Sequence, residues 1–220
     1  MTHPRIVVLL CALLLAVSAF GATARLEPGE AVCERCSGLV ADFNGDGLDD
    51  LFVAGKIHFN RGGQFGAGIT AEGIPAGELI RLATDLNGDG FADVIAAKPG
   101  SNPPGSGNTV LPGPERILLN NGTGRFTEGP RLPSGSVLQS GDINADGKPD
   151  LLFLQLPHGI ALGLGNGDGT FSPYLTIPEP DSKMRQDSIA IGDLNGDARP
   201  DLVWSGGSYL YFYFANEDGS

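Results

Sequence analysis

The stretch Asp-Phe-Asn-Gly-Asp-Gly-Leu-Asp-Asp, residues 42–50, decides the fold because the chain repeats it three more times. The other copies are Asp-Leu-Asn-Gly-Asp-Gly-Phe-Ala-Asp (85–93), Asp-Ile-Asn-Ala-Asp-Gly-Lys-Pro-Asp (142–150) and Asp-Leu-Asn-Gly-Asp-Ala-Arg-Pro-Asp (193–201). Oxygen-bearing side chains stand at positions 1, 3, 5 and 9 of every copy. The copies begin 43, 57 and 51 residues apart, which is the size of a β-propeller blade.

Short apolar segments flank every copy of the phrase. They are rich in aliphatic and aromatic residues and are bounded by Gly and Asp, which is typical of strands. The predicted first strands are 38–41, 80–83, 136–138 and 188–191; the second strands are 51–53, 94–96, 151–154 and 202–204; the third strands are 56–59, 116–119, 160–162 and 209–214.

A second signature of Asn, Gly and a final Phe follows the first three units, at 60–65, 121–126 and 166–171. Asn and Gly tolerate a positive φ, so this signature predicts a hairpin turn into a fourth strand. We therefore expect an all-β chain, a β-propeller made of four-stranded antiparallel blades. About four blades are expected, at about 37–78, 79–134, 135–186 and 187–220, with the last incomplete, as in a partial or fragmentary propeller.

The spacing of the phrase favours Ca²⁺, which takes oxygen ligands from alternate positions of a loop. An EF-hand is excluded, because position 12 holds Val53, Ala96, Phe153 or Trp204 instead of Glu. We expect the Asp at position 9 to close the site and position 7 to contribute its backbone carbonyl. The expected ligands are Asp42, Asn44, Asp46, Leu48 and Asp50; Asp85, Asn87, Asp89, Phe91 and Asp93; Asp142, Asn144, Asp146, Lys148 and Asp150; and Asp193, Asn195, Asp197, Arg199 and Asp201.

Up to four Ca²⁺ ions are expected, and the loop that begins at Asp193 should bind most weakly. Position 6 is Gly in the first three loops but Ala198 in the fourth. If position 6 needs a positive φ, alanine costs about 1–2 kcal/mol there. The alternative is a set of metal-free turns, in which the three carboxylates of each loop would repel one another.

The first 24 residues have the pattern of a secretory signal peptide. An apolar run from Ile6 to Val17 is followed by small residues, and Ala22-Thr23-Ala24 fits a signal-peptidase site. The run is short for a membrane span, although an uncleaved anchor is the alternative, and no later segment is long enough to span a membrane. We expect a secreted protein, extracellular or periplasmic.

Residues 25–36 form an N-terminal segment that contains Cys33 and Cys36. A lone pair of cysteines makes a zinc site improbable. A short-range disulfide suits an oxidising compartment. Two reduced thiols and a redox pair are the alternatives.

The formal net charge of −12 excludes the basic footprint that nucleic-acid binding needs. Of the 17 Asp residues, 13 lie inside the four phrases, so the acidity indicates cation sites. An extracellular protein or glycan is the expected partner. Repeats that do not close into a ring leave sheet edges exposed, which would favour self-association.

The paired signatures resemble the FG-GAP repeat, also called a VCBS-type repeat, of integrin-α-like β-propellers. The resemblance runs from about Ser37 to Ser220. It implies that the Asp-rich loops join the first two strands of each blade and hold structural Ca²⁺. Propellers of this family usually have seven blades, whereas about four are expected here.

Two functions compete: a calcium-binding module for adhesion or for protein or glycan recognition, and a propeller-type polysaccharide lyase or hydrolase. A fragment of a longer repeat protein is a third possibility. We favour a non-enzymatic module, because most carboxylates belong to the loops and a metal-bound Asp is a poor general acid. Trp204 and the tyrosines at 209, 211 and 213 could form a sugar platform, but alternation with Leu210, Phe212 and Phe214 predicts a strand buried on both faces.

Overall fold

The computed structural model describes residues 38–98, 113–132, 135–155, 159–172, 175–177, 186–206 and 209–215. Fifteen strands and no helix are found in these ranges. Blade 1 contains β1 (Gly38–Ala41), β2 (Asp50–Val53), β3 (Lys56–His58) and β4 (Ile69–Thr70). Blade 2 contains β5 (Leu79–Thr84), β6 (Asp93–Ala97), β7 (Glu115–Asn120) and β8 (Phe126–Glu128). Blade 3 contains β9 (Ser136–Gly141), β10 (Asp150–Gln155), β11 (Gly159–Gly163) and β12 (Leu175–Ile177), and blade 4 contains β13 (Gln186–Gly192), β14 (Asp201–Gly206) and β15 (Tyr209–Tyr213).

Each blade is an antiparallel sheet whose strands pair in chain order. Blades 1 to 3 have four strands, and blade 4 has three in the described ranges. The structure therefore confirms the predicted all-β chain of propeller blades. The short segments form strands because their branched and aromatic side chains alternate between the two faces of a pleated sheet.

The core lies between consecutive blades. We call the face of a blade that packs on the next blade its forward face and the opposite face its backward face. Phe52 and Ile57 on the forward face of blade 1 pack with Val94 and Ala96 on the backward face of blade 2. Equivalent clusters fill the space between blades 2 and 3 and between blades 3 and 4.

The first strands of neighbouring blades also touch: β1 packs on β5, β5 on β9, and β9 on β13. No contact of comparable extent joins β13 to β1 within the described residues. Among the described residues, no blade therefore packs on the backward face of blade 1 or on the forward face of blade 4.

The prediction that the last strand is buried on both faces is wrong. Leu210 and Phe212 are 55% and 52% exposed, whereas Tyr211 and Tyr213 pack towards blade 3. The exposed residues lie on the forward face of blade 4, which no described blade covers. Trp204 lies on the backward face and is fully buried, so it is unable to serve as a sugar platform.

The fourth strands begin at different distances from the Asn-Gly turn. In blade 2 the final Phe of the signature, Phe126, starts β8 directly. In blades 1 and 3 the corresponding Phe65 and Phe171 form isolated bridges with Asn60 and Gly165, and the strands start four residues later. The turn signature thus locates the hairpin but not the first residue of the strand.

The proposed signal peptide and the segment with Cys33 and Cys36 lie outside the described residues. Within the described ranges, no helix has the length and apolar character needed to cross a membrane.

Candidate metal centre

The four Asp-rich loops connect the first and second strands of their blades. Because each sheet is a meander, this loop lies at the same end of the blade as the turn between the third and fourth strands. The loop and the turn of one blade are therefore neighbours, and contacts between them decide which side chains remain accessible to an ion.

The Asp at position 1 is held by backbone amides of its own loop. One oxygen of Asp42 accepts a hydrogen bond from the Gly45 N–H at 2.7 Å, and the other accepts from the Gly47 N–H at 2.7 Å. The corresponding carboxylates accept hydrogen bonds from the N–H of position 6 at 2.9 Å in each of the other loops; they belong to Asp85, Asp142 and Asp193. This network fixes the path of the loop before any ion is considered.

Positions 3 and 5 are joined to each other in every loop. The Asn44 side-chain amide donates to an Asp46 carboxylate oxygen at 3.0 Å, and its carbonyl oxygen accepts from the Asp46 N–H at 3.0 Å. The same Asn-to-Asp side-chain bond measures 2.9, 3.1 and 2.9 Å in the second, third and fourth loops. Positions 1, 3 and 5 therefore come together in one exposed or half-buried loop, four times over.

The Asp at position 9 is buried, unlike positions 1, 3 and 5. Asp50, Asp93 and Asp150 are fully buried, and Asp201 is 1% exposed. One oxygen of Asp93 accepts from the N–H of Leu86 at position 2 (3.0 Å), and the other accepts from the N–H of Asn120 at the end of β7 (2.8 Å).

The other three blades repeat this pair of bonds, with position 2 on one oxygen and the end of the third strand on the other. The donors are Phe43 and Asn60, Ile143 and Gly165, and Leu194 and Ala215. We call this bridge between the loop and the second hairpin the carboxylate latch.

Burial shapes the electrostatics of the latch. It raises the pKa of Asp50 and Asp150 and raises the pKa of Asp93 to about 6, although the N–H donors act in the opposite direction. In the described ranges, no three His, Cys, Asp or Glu side chains are grouped so that they could hold a metal ion. Positions 1, 3 and 5 are joined by hydrogen bonds, and position 9 lies beside them: the charges of Asp46 and Asp42 also raise the pKa of Asp50, and the Asn144 N–H donates to Asp150 at 3.3 Å. The role of position 9 as a ligand stays a prediction.

Position 6 adopts a positive φ in all four loops, which is the condition under which alanine is expected to weaken the fourth loop. The φ values are 80°, 89° and 83° at Gly47, Gly90 and Gly147, and 64° at Ala198. The same strain occurs at position 4 of the third loop, where Ala145 has a φ of 58°. A Cβ added at Gly47 would meet no atom within 4 Å, so the cost of alanine at position 6 is a backbone cost.

The side chains at position 7 make contacts of their own. The ring of Phe91 covers Gly45 of the preceding loop, since a Cβ built on Gly45 would lie 2.9 Å from Phe91 Cε1. Arg199 donates from Nη2 to the Asp197 carboxylate at 2.6 Å. We did not anticipate this ion pair, although opposite charges at positions 5 and 7 are visible in the sequence.

The loops also tie consecutive blades together. The carbonyl of Phe43 accepts from the Asn120 side chain of blade 2 at 2.8 Å, and the Asp42 carbonyl accepts from the Ala92 N–H at 2.8 Å. The carbonyl of Leu86 accepts from the Gly169 N–H of blade 3 at 3.0 Å. Order within one loop is therefore coupled to the junction with the next blade.

Carboxylate, amide and carbonyl oxygens are the hard donors that Ca²⁺ prefers, so the chemistry of positions 1, 3, 5 and 7 fits this ion. The metal-free alternative is also chemically reasonable, because backbone N–H groups already donate hydrogen bonds to the loop carboxylates. An oxygen of a carboxylate keeps a further lone pair after accepting one hydrogen bond, and the latch is therefore compatible with ligation as well.

Comparison with known proteins identifies the repeat. Residues 142–204 match the model of an FG-GAP-like repeat, and residues 81–111 match that of an FG-GAP repeat. The human phosphatidylinositol-glycan-specific phospholipase D is 32% identical over 145 residues, which covers 55% of this chain and 17% of the relative. The chain thus spans less than a fifth of the length of that relative.

Among solved structures, the Photorhabdus luminescens Tc holotoxin pore aligns with 76% of this chain and 8% of its own chain. The sequence identity is 20% and the TM-score 0.47. A similarity at this level does not bear on function.

Proposed function

The chain is a repeat protein of the FG-GAP type, and from this premise we propose that it is a secreted, calcium-stabilised β-propeller module that recognises an extracellular protein or glycan. The observation that carries the calcium part is the fourfold recurrence of one loop network. In each copy the same amides hold the Asp at position 1, and the same side-chain bond joins positions 3 and 5.

The ion would be held by the side chains of positions 1, 3 and 5 and by the carbonyl of position 7. In the first loop these are Asp42, Asn44, Asp46 and Leu48, and the other loops repeat the set. Asp50 and its counterparts would contribute through a remaining lone pair. Bound Ca²⁺ supplies positive charge that offsets the repulsion between the carboxylates of a loop.

Calcium would act on the array as well as on single loops. Position 2 lies between positions 1 and 3, and its carbonyl contacts the following blade at Phe43 and Leu86. Fixing positions 1 and 3 on an ion would therefore stabilise the junction between blades. This structural role leaves the surfaces of the blades available for a partner.

A recognition role agrees with the way the acids are used. Glu115, an acid outside the loops, has a side chain that is 2% exposed. It accepts hydrogen bonds from Ser136 Oγ at 2.9 Å and from the Val137 N–H at 2.6 Å. These bonds join blade 2 to blade 3, so Glu115 acts as a connector and not as an accessible general acid. We therefore propose a non-catalytic module, although one relative carries the name of a phospholipase.

Calorimetric titration of the purified chain with Ca²⁺ tests the metal assignment. We expect saturable binding at up to four sites, with loss of one site in the double variant Asp42→Asn/Asp46→Asn. Mg²⁺ should bind more weakly, because it demands a smaller octahedral site. Absence of Ca²⁺ binding, or unchanged stoichiometry in the double variant, would refute the assignment.

Arrays of glycans and extracellular proteins, probed in Ca²⁺ and in chelator, test the recognition role. We expect retention of at least one ligand class in Ca²⁺. A parallel assay for products released from a polysaccharide panel tests the enzymatic alternative. Release of products without retention of any ligand would favour the enzyme.

A further inference from the structure

The forward face of a blade is built from the same positions each time. Phe52 pairs with Ile57 across β2 and β3, and Ile95 pairs with Ile117 across β6 and β7. All four side chains are at most 6% exposed, because the next blade covers them. Side chains at these positions are therefore buried only where a following blade packs on them.

Blade 4 carries the same apolar set without a cover. Val203 and Phe212 form the equivalent pair across β14 and β15, and Phe212 is 52% exposed. Leu194, at position 2 of the fourth loop, is 48% exposed, whereas its counterpart in the first loop, Phe43, is fully buried. With Leu210 these side chains make a contiguous apolar face of the kind that marks an interaction surface.

Blade 1 presents the complementary face. Val40 pairs with Leu51 across β1 and β2, and Val40 is 53% exposed. The corresponding residues of blade 4, Ile191 and Leu202, are packed against blade 3. Val40 and Leu51 thus occupy backward-face positions, and no preceding blade covers them in the described part of the chain.

We propose that the forward face of blade 4 docks onto the backward face of blade 1 of a second copy of this chain. The occupant follows from the junctions inside the molecule, where a forward face meets a backward face three times. Every copy carries both halves of a fourth junction, and no described blade packs on either of them. Phe212 and Val40 are 52% and 53% exposed there, although Val53, on the same face as Val40, is 7% exposed. Such a head-to-tail contact is heterologous, so it closes into a ring of copies or continues as an open chain.

The forward face of blade 4 exposes several apolar side chains next to one another. Three apolar side chains of this face are about half exposed, Leu194, Leu210 and Phe212, and large apolar patches of this kind are rare on monomers.

Two variants that each disable one face test this proposal. Phe212→Lys removes the forward face and Val40→Lys the backward face, and both side chains are exposed, so both variants should fold. By sedimentation velocity we expect the unmodified chain to associate in a concentration-dependent manner, whereas each variant alone stays monomeric. An equimolar mixture of the two should form a heterodimer, because one variant keeps the forward face and the other the backward face.

Leu79→Lys is the matched control. Leu79 is 60% exposed on blade 2 and takes part in neither face, so its variant should associate like the unmodified chain. A monomeric unmodified chain at all concentrations would overturn the proposal. So would self-association of Val40→Lys alone, which would indicate that two copies of blade 4 meet, or failure of the mixed variants to combine.

Discussion

At the scale of single residues, two alanines distinguish the third and fourth loops from the first two. Ala145 and Ala198 both occupy the left-handed region, with φ of 58° and 64°. That conformation costs a residue with a Cβ about 1–2 kcal/mol. Backbone strain alone therefore predicts that the third and fourth loops bind Ca²⁺ equally weakly, and more weakly than the first two.

Replacing the strained alanine at position 6 should strengthen the fourth loop. Ala198→Gly removes backbone strain that an ion-free loop can escape by moving but that an ion-bound loop must keep. We expect calcium affinity at this loop to rise about two- to fivefold, given this relief. Calcium titration followed by NMR of the loop amides resolves the individual site.

The reverse change in the first loop is the matched control for this experiment. Gly47→Ala introduces the same strain without a steric contact, so the first loop should weaken by a similar factor. Equal affinities before and after both changes would show that the positive φ does not influence binding.

The ion pair between Arg199 and Asp197 is a second feature that we expect to lower the calcium affinity of the fourth loop. The guanidinium donates to a carboxylate oxygen at position 5, with 2.6 Å between Nη2 and Oδ2, so a Ca²⁺ ion bound by this carboxylate would have to compete with it. Arg199→Leu should therefore raise the calcium affinity of this loop, and the gain should shrink at high salt because screening weakens the ion pair. A fall in affinity would contradict this reading of the ion pair.

At the scale of elements, the carboxylate latch joins the Asp-rich loop of every blade to the end of its third strand. A buried carboxylate that accepts two backbone N–H bonds satisfies donors that would otherwise be left unpaired. The latch holds positions 2 and 9 together while positions 1, 3 and 5 stay near the surface. We infer that the Asp at position 9 stabilises the blade whether or not Ca²⁺ is bound.

Asp93→Asn tests the latch in the absence of metal. The amide must turn its NH₂ group towards the N–H of Leu86 or Asn120, which leaves buried donors without an acceptor and costs about 1–3 kcal/mol. We expect the Tm in chelator to fall by several degrees. Asp89→Asn, at the exposed position 5, should leave the Tm in chelator nearly unchanged and weaken calcium binding. If both variants melt alike in chelator, the latch has no separate structural role.

Much of this level was predictable from the sequence. Period-two apolar segments around a fixed Asp spacing locate the first three strands of every blade. Residue spacing, however, does not give the direction in which a side chain points. The sequence therefore did not reveal that Asp50 is buried whereas Asp46 is exposed. Alternation along residues 209–214 likewise shows which side chains share a face, but not whether another blade covers that face.

At the scale of the whole molecule, the loops act at the junctions. Asn120 bonds to the loop of blade 1, and Gly169 bonds to the loop of blade 2. If each loop orders around an ion, the junctions should gain stability together, and unfolding should become more cooperative in Ca²⁺. Denaturant titrations compared in Ca²⁺ and in chelator should then give a steeper transition in Ca²⁺, whereas equally steep transitions would point to loops that order independently.

Thermal unfolding in Ca²⁺, in Mg²⁺ and in chelator tests the calcium assignment most directly. A ligand that binds only the folded state stabilises it by about 2.7 kcal/mol per site at a hundredfold excess over its Kd. We predict a large rise in Tm in Ca²⁺ relative to chelator and little rise in Mg²⁺. Identical melting curves in all three solutions would contradict the account.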